Sequence, residues 1–443
     1  MKSRYLAIEC KINLELMRSK TARVSRVGLR KKIREFWEIL GPGLITGASD
    51  DDPSGIATYS QAGAGFGLST LWTALLTFPL MAAVQEMCAR MGAITCKGLT
   101  GILKQHYHRT VIIVMVLFSF PAIVLNIGAD LEGMGAVMHL VIPGLPVYAA
   151  EIGFTLLLIV GLVLFSYYQI AFILKWLCLT LTLYLIIPFL VNVDWGQVAR
   201  NTFLPSISFN RDFFEILVAI LGTTISPYLF FWQTTMEAED VTNAKTHIVI
   251  DRNFLHRLQA DIFTGMFFSN LVMFFVILTT GVVLFNAGQY KIETVEQAAS
   301  ALKPLAGNVA YLLFAVGIIG TGFLAIPVLA GSLSYTVAEA FSWTEGLQNK
   351  FTQAPGFYIT IIVSLLAGLS LDFLNINPMK ALLYTAILYG LTAPVLIAII
   401  LHVCNNKMVM GEAVNGKWSN ILGTLALILM SFAAIALIWF QFT

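Results

Sequence analysis

Charge is scarce in this chain. Only 12% of its 443 residues are Asp, Glu, Lys or Arg, against about a quarter in a soluble domain. With 58% hydrophobic residues and a mean hydropathy of +0.80, a water-soluble globule is excluded. Histidine is rare, and the five cysteines (Cys10, Cys88, Cys96, Cys178 and Cys404) stand at unrelated spacings, so neither a disulfide framework nor a zinc site is expected. His-Glu-x-x-His and Gly-x-Ser-x-Gly are absent, which leaves an intramembrane enzyme without a motif. The first 36 residues lack the apolar core of a secretory signal. The net charge of +2 carries no nucleic-acid footprint, because the positive residues gather in two places.

Those places fix a topology. One is the N-terminus, with Arg18, Lys20, Arg23, Arg26, Arg30, Lys31, Lys32 and Arg34; the other runs from Arg90 to Arg109 and includes Lys97 and Lys104. Both belong in the cytoplasm by the positive-inside rule, so an even number of crossings separates them. Gly43–Phe66 and Leu71–Met91 supply two. Further apolar runs lie at about 110–141, 146–168, 170–192, 213–240, 260–285, 305–342, 356–373, 379–402 and 420–441. Each is close to the roughly 20 residues that span a bilayer. The reading is an all-α polytopic membrane protein with about eleven spans, its N-terminus cytoplasmic and its C-terminus extracytoplasmic. Residues 1–40 form a basic cytoplasmic segment and 41–443 the membrane domain.

Two spans are broken alike. The first carries Ser49-Asp50-Asp51-Asp52-Pro53-Ser54-Gly55, three carboxylates against a helix breaker. Insertion scales charge about 2.5–3.5 kcal/mol for one such side chain at a helix centre, so an uninterrupted lipid-facing helix does not tolerate three. The sixth breaks at Thr223-Thr224-Ile225-Ser226-Pro227-Tyr228. Proline removes a donor and clashes with the preceding turn, and glycine eases unwinding. Breaks five spans apart are what an inverted repeat of five plus five helices predicts, with the broken helices 1 and 6 meeting at a midplane site. Repeat one then covers about 41–192, repeat two about 213–402, with an extra helix at about 420–441.

Asp52 abuts the first break and is the leading candidate for a cation ligand. Asp51 lies about 100° round the helix and comes second; Asp50, a step further, is expected on a vestibule or a neighbouring helix. Span three adds Asn126-Ile127-Gly128-Ala129-Asp130-Leu131-Glu132-Gly133. Asn126 and Asp130 share a face; Glu132 points elsewhere and is favoured to complete an acidic site, with Asp130 either a pathway group or a structural one. Gly128, Gly133 and Gly135 suit close helix packing. Glu86 and Arg90, at i and i+4, are expected to pair. Glu237, Glu239 and Asp240 read as a solvated helix end or an exit path, and Tyr228 and Gln233 as packing or pathway residues. Asp51, Asp52, Gly55, Glu132, Thr223 and Ser226 thus make a hard-oxygen set without Cys, Met or His at either break. Such a set suits magnesium, calcium or manganese, and a wide acidic site accepts magnesium largely hydrated.

At this point the chain resembles the natural resistance-associated macrophage protein (Nramp) divalent-metal transporters. Gly41-Pro42-Gly43 is similar to the family's opening motif; Asp52-Pro53-Ser54-Gly55 stands where the family carries Asp-Pro-Gly-Asn, and Ser226-Pro227-Tyr228 where it carries Met-Pro-His. The resemblance implies the inverted-repeat fold and makes Asp52 the metal-binding aspartate. It also exposes departures. The family's asparagine is Gly55, its methionine ligand is Ser226, its two histidines are Tyr228 and Gln233, and span nine has no arginine. These are similar to the divergent Nramp-related magnesium branch, whose acidic residue on span three Glu132 would match. The implied function is alternating-access uptake of magnesium, manganese tolerated, without proton coupling. The rivals are a proton-coupled manganese or iron symporter and a sodium-coupled organic-solute carrier, whose carboxylate substrate Asp50 to Asp52 would repel. The expected partners are divalent ions and the lipid bilayer, with no resident cofactor and no obligate protein partner.

Overall fold

The computed structural model describes residues 42–165, 169, 185–189, 193–243, 250–301, 310–371 and 377–442. The basic segment 1–40 and nearly all of the fifth span lie outside them. The first break forms because Asp52, in extended conformation, caps a new helix: its side chain accepts the Gly55 amide, and Pro53 occupies the first helical position, where a missing N–H costs nothing. Span one is therefore two half-helices, α1 (Pro42–Asp50) and α2 (Pro53–Phe66). Proline does the same at the second break, separating α8 (Arg211–Thr224) from α9 (Pro227–Asn243).

The remaining elements follow in chain order. They are α3 (Trp72–Thr95), the short α4 (Leu99–His106), α5 (Arg109–Val141), α6 (Val147–Leu164) and α7 (Trp195–Phe203) before the second break. After it come α10 (Arg252–Thr280, extended by a π turn to Phe285), α11 (Val295–Ser300), α12 (Ala310–Phe341), α13 (Pro355–Leu369), α14 (Pro378–Asn405), α15 (Lys407–Met410) and α16 (Lys417–Phe442). Seven described segments are long and apolar enough to cross a membrane. Span one is split, α3 carries more polar residues, and α13 is only 15 residues long. Among the described residues these make ten of the eleven expected spans, in the expected order; nearly all of the fifth lies outside them. Four short helices, α4, α7, α11 and α15, were not anticipated.

Small residues let the broken helices sit close to their supports. A Cβ on Gly47 of α1 would fall inside the Gly265 carbonyl of α10, and one on Gly222 of α8 inside the backbone of Gly390 on α14. Of the expected packing glycines, Gly128 meets the Gly368 carbonyl of α13, Gly133 meets Leu382 of α14, and Gly135 meets Glu151 of α6; Gly322 of α12 likewise meets Met134. The Glu86–Arg90 pair forms, Arg90 Nε to Glu86 Oε1 being 2.7 Å. Arg90 also donates to Ala413 O and to Asn415 Oδ1, tying α3 to the segment before α16. Cys88 and Cys404 are free and buried, whereas Cys96 is disulfide-bonded, although the spacings suggested no disulfide framework.

At the end of the bundle bearing α4, side chains join three elements. Lys104 Nζ donates to Ala340 O and Ser342 Oγ, both at 2.6 Å. The Gly101 amide donates to Glu339 Oε2 at 2.9 Å, so α4 is held at both ends against the end of α12. Tyr335 Oη donates to Glu239 Oε1 and accepts from the Leu347 amide. Beside them burial, and then the neighbouring Glu339 and Glu239, push the Glu345 carboxyl up to about 9. Glu239 thus belongs to a packed network and not to a solvated helix end.

Candidate metal centre

The two breaks meet. A Cβ on Gly55 would stand 3.2 Å from Asp50 O and 3.2 Å from Thr223 Oγ1, so the start of α2 lies directly against the end of α8. Tyr228 Oη, on α9, donates to the Ser49 carbonyl at 2.7 Å, satisfying an acceptor that the end of α1 leaves free. Gln233 accepts from Thr46 Oγ1 and donates to Glu237 Oε1 at 2.9 Å, linking α9 to α1. Ser54 Oγ donates to Leu382 O at 2.7 Å on α14. Tyr228 and Gln233 therefore fasten half-helices together.

Asp52 sits at the centre. Its Oδ1 accepts the Gly55 amide at 2.6 Å and its Oδ2 accepts Asn126 Nδ2 at 2.8 Å. Asn126 has Oδ1 without a hydrogen-bond partner, as have both oxygens of Asp130 and the hydroxyl of Tyr389. Asp130 interacts electrostatically with Asp52 and with the Ser54 backbone just after the break, and Tyr389 interacts electrostatically with Asp52 and Asp130. None of Asp52, Asn126, Asp130 and Tyr389 is more than 2% exposed. Buried oxygens without donors cost free energy unless something else satisfies them.

Glu132 stands on another face of α5 from Asn126 and Asp130. It is partly buried and lies about 200° round α5 from Asp130, whereas Asn126, at i−4 from Asp130, reaches Asp52. Ser226 is turned as well: its hydroxyl donates to Thr223 O at 2.5 Å and Asp50 Oδ1 at 3.3 Å, not toward Asp52. Asp50 meets α10 through Ser269 Oγ, at 3.0 Å from Oδ2, in keeping with a neighbouring-helix position. Asp51 is fully buried, and neither of its oxygens has a hydrogen-bond partner. Among the described residues no three His, Cys, Asp or Glu side chains form a metal-holding group. Any centre here must combine carboxylates with amide, hydroxyl and carbonyl oxygens.

Asn126, Tyr389 and Ser269 were not singled out as site residues from sequence. Asn126 carried a usable signal, a polar residue one turn before a buried aspartate. Tyr389 and Ser269 carried none, since hydroxyls are ordinary on unbroken helices. A soft donor approaches the second break: Met273 Sδ accepts from Thr224 Oγ1 at 3.6 Å. The cavity of about 410 Å³ lies elsewhere, beyond the end of α2, among Phe66, Ser69, Asp194, Asn201 and Asn286.

Comparison with known proteins agrees with this geometry. The chain is 24% identical over 438 residues to the divalent metal cation transporter MntH of Clostridium acetobutylicum, covering 96% of each chain. It is 25% identical over 384 residues to that of Acidiphilium cryptum, covering 85% of this chain and 84% of the relative. The crystal structure of the Eremococcus coleocola manganese transporter in complex with an aromatic bis-isothiourea compound superposes with a TM-score of 0.69 at 16% identity. That match covers 94% of this chain and 89% of the other, and shows the shared fold. The natural resistance-associated macrophage protein-like model matches residues 43–440, and the chain belongs to the Nramp family.

Proposed function

We propose that this membrane protein, a divalent metal transporter by family, takes up magnesium with manganese tolerated, and moves it without a coupled proton. One observation carries the reading. The oxygens left without donors around Asp52, on Asn126, Asp130 and Tyr389, are all hard ligands, the kind that suits magnesium or manganese. Asp52 supplies the fixed charge, Asn126 and Asp130 the adjoining oxygens, and Thr223 and Gly55 the wall. Asn126 and Asp130 take the place expected of Ser226 and Glu132. Met273, held by Thr224, fits tolerance of the softer manganese.

Movement follows from the breaks. The half-helices α1, α2, α8 and α9 rock against α5 and α12, exposing Asp52 to one side and then the other. A potential of 100 mV, negative inside, favours entry by about 2.3 kcal/mol per charge, and a divalent ion gains twice that. Uptake then runs with the N-terminus cytoplasmic and the C-terminus outside. The test is uptake into proteoliposomes carrying dyes for magnesium, manganese, calcium and pH, with Asp52→Ala alongside. Voltage-driven magnesium entry without internal acidification, abolished in Asp52→Ala, is expected. Manganese entry with acidification and no magnesium entry would restore the proton-coupled reading.

A further inference from the structure

The first two residues of the acidic triplet are not used by the centre just described. Asp50 and Asp51 are both fully buried. Asp50 faces away from Asn126, toward Ser226 of the second break and Ser269 of α10. Asp51 lies beside the same Ser269 hydroxyl and interacts electrostatically with Asp50, yet neither of its oxygens finds a hydrogen-bond donor. A fully buried carboxylate without a hydrogen-bond donor therefore lies beside Ser269, one of the two serine hydroxyls that already converge on Asp50.

Charge leads to the same place. Asp50 and Asp51 interact electrostatically with Asp52, and so does Asp130; among the described residues no cationic side chain is among the groups acting on these four. Leaving a buried charge unbalanced costs several kcal/mol per ion. One divalent cation at Asp52 and Asp130 neutralises two carboxylates; two remain, and they are the two on the Ser226–Ser269 side.

We propose that the broken helices hold a second hard cation, bound by Asp50, Asp51, Ser226 and Ser269, beside the transported ion at Asp52. This rests on the reading of Asp52 as the transport site. Both oxygens of Asp50, together with one each from Asp51, Ser226 and Ser269, give five oxygen donors, and the Thr223 carbonyl beside Ser226 adds another. Six to eight oxygens are what magnesium-like and calcium-like ions take. The ion has two sources, a second magnesium or a monovalent sodium, which share this chemistry. Because the position joins the end of α1, the second break and α10, its occupancy ties both broken helices to a supporting helix.

Equilibrium dialysis of the purified full-length protein against magnesium, in sodium-free and sodium-containing buffer, tests this. In sodium-free buffer wild type should bind two magnesium ions per chain. Ser269→Ala and Asp50→Asn should each bind one, and Asp52→Asn should keep the other. Should sodium be the natural occupant, adding it lowers wild-type magnesium binding from two to one and leaves Ser269→Ala unchanged. Ser269→Ala removes only a hydroxyl, so it reports even if Asp50→Asn misfolds. A single magnesium ion in wild type, with no sodium bound and uptake intact, overturns the second position alone. No magnesium binding and no uptake would instead overturn the reading of Asp52 as the transport site.

Discussion

Replacing Asp52 by asparagine separates the charge of that side chain from its structural work. Oδ1 caps α2 through the Gly55 amide, and asparagine caps a helix about as well as aspartate. The other oxygen becomes an amide facing Asn126 Nδ2, a donor facing a donor. Asn126 can relieve this by turning its amide, since its Oδ1 has no partner to lose. The structural cost should thus stay below about 1 kcal/mol, a shift of a few degrees in Tm. The ion loses a full charge in an enclosure no more than 2% exposed at any of these residues. Removing one partner of a buried charge pair costs about 3 kcal/mol or more, on the order of 100-fold in Kd. Thermal melts and magnesium titration of uptake on the same preparation measure both. An unchanged apparent affinity would refute Asp52 as the ligand; a Tm loss large enough to explain the uptake defect would make its role structural.

Three other outcomes follow from particular contacts. Gly265→Ala should destabilise the protein by roughly 1–3 kcal/mol and impair uptake, because its Cβ would meet the Gly43 backbone of α1; wild-type melting and uptake would contradict that packing. Arg90→Ala strands Glu86 and frees Ala413 and Asn415, and should cost about 2–3 kcal/mol, read as a lower Tm; a loss within about 0.5 kcal/mol would place the pair with ordinary surface contacts. Glu345 keeps its proton up to about 9 when folded, far above its unfolded value near 4.3. Its contribution to stability is therefore complete below the unfolded pKa and lost as pH rises toward the folded one. Glu345→Gln should flatten the fall in Tm across that window, and an unchanged slope would assign the fall to other groups.

The breaks were legible in the sequence because proline and clustered carboxylates are costly in a spanning helix and so announce a local exception. The Glu86–Arg90 pair and the packing glycines of α5 follow from spacing alone, whereas Asp52 as helix cap had to be seen in the structure. The partners of Asp52 were less legible. Helical geometry puts Asn126 and Asp130 on one face and Glu132 on another, but which face meets the break depends on how α5 packs against α2 and α14. Charge drew the choice to Glu132; packing selected Asn126. The rotation of Ser226 toward Asp50 was likewise hidden, since a hydroxyl beside a proline has several local acceptors. Glu239 was misread for a related reason: its partner Tyr335 is 96 residues away.

The bond from the Gly55 amide to Asp52 gives the transport site a built-in reporter. If Asp52 holds the metal as proposed, the same carboxylate that starts α2 would be the ligand, so ligation would compete with the helix for one oxygen. An ion drawing Oδ1 toward itself would loosen the first turn of α2, and its release would let that turn rewind. Occupancy would thereby be written into backbone order. Hydrogen exchange at Gly55 should quicken as the metal is titrated in, while amides deeper in α2 stay slow.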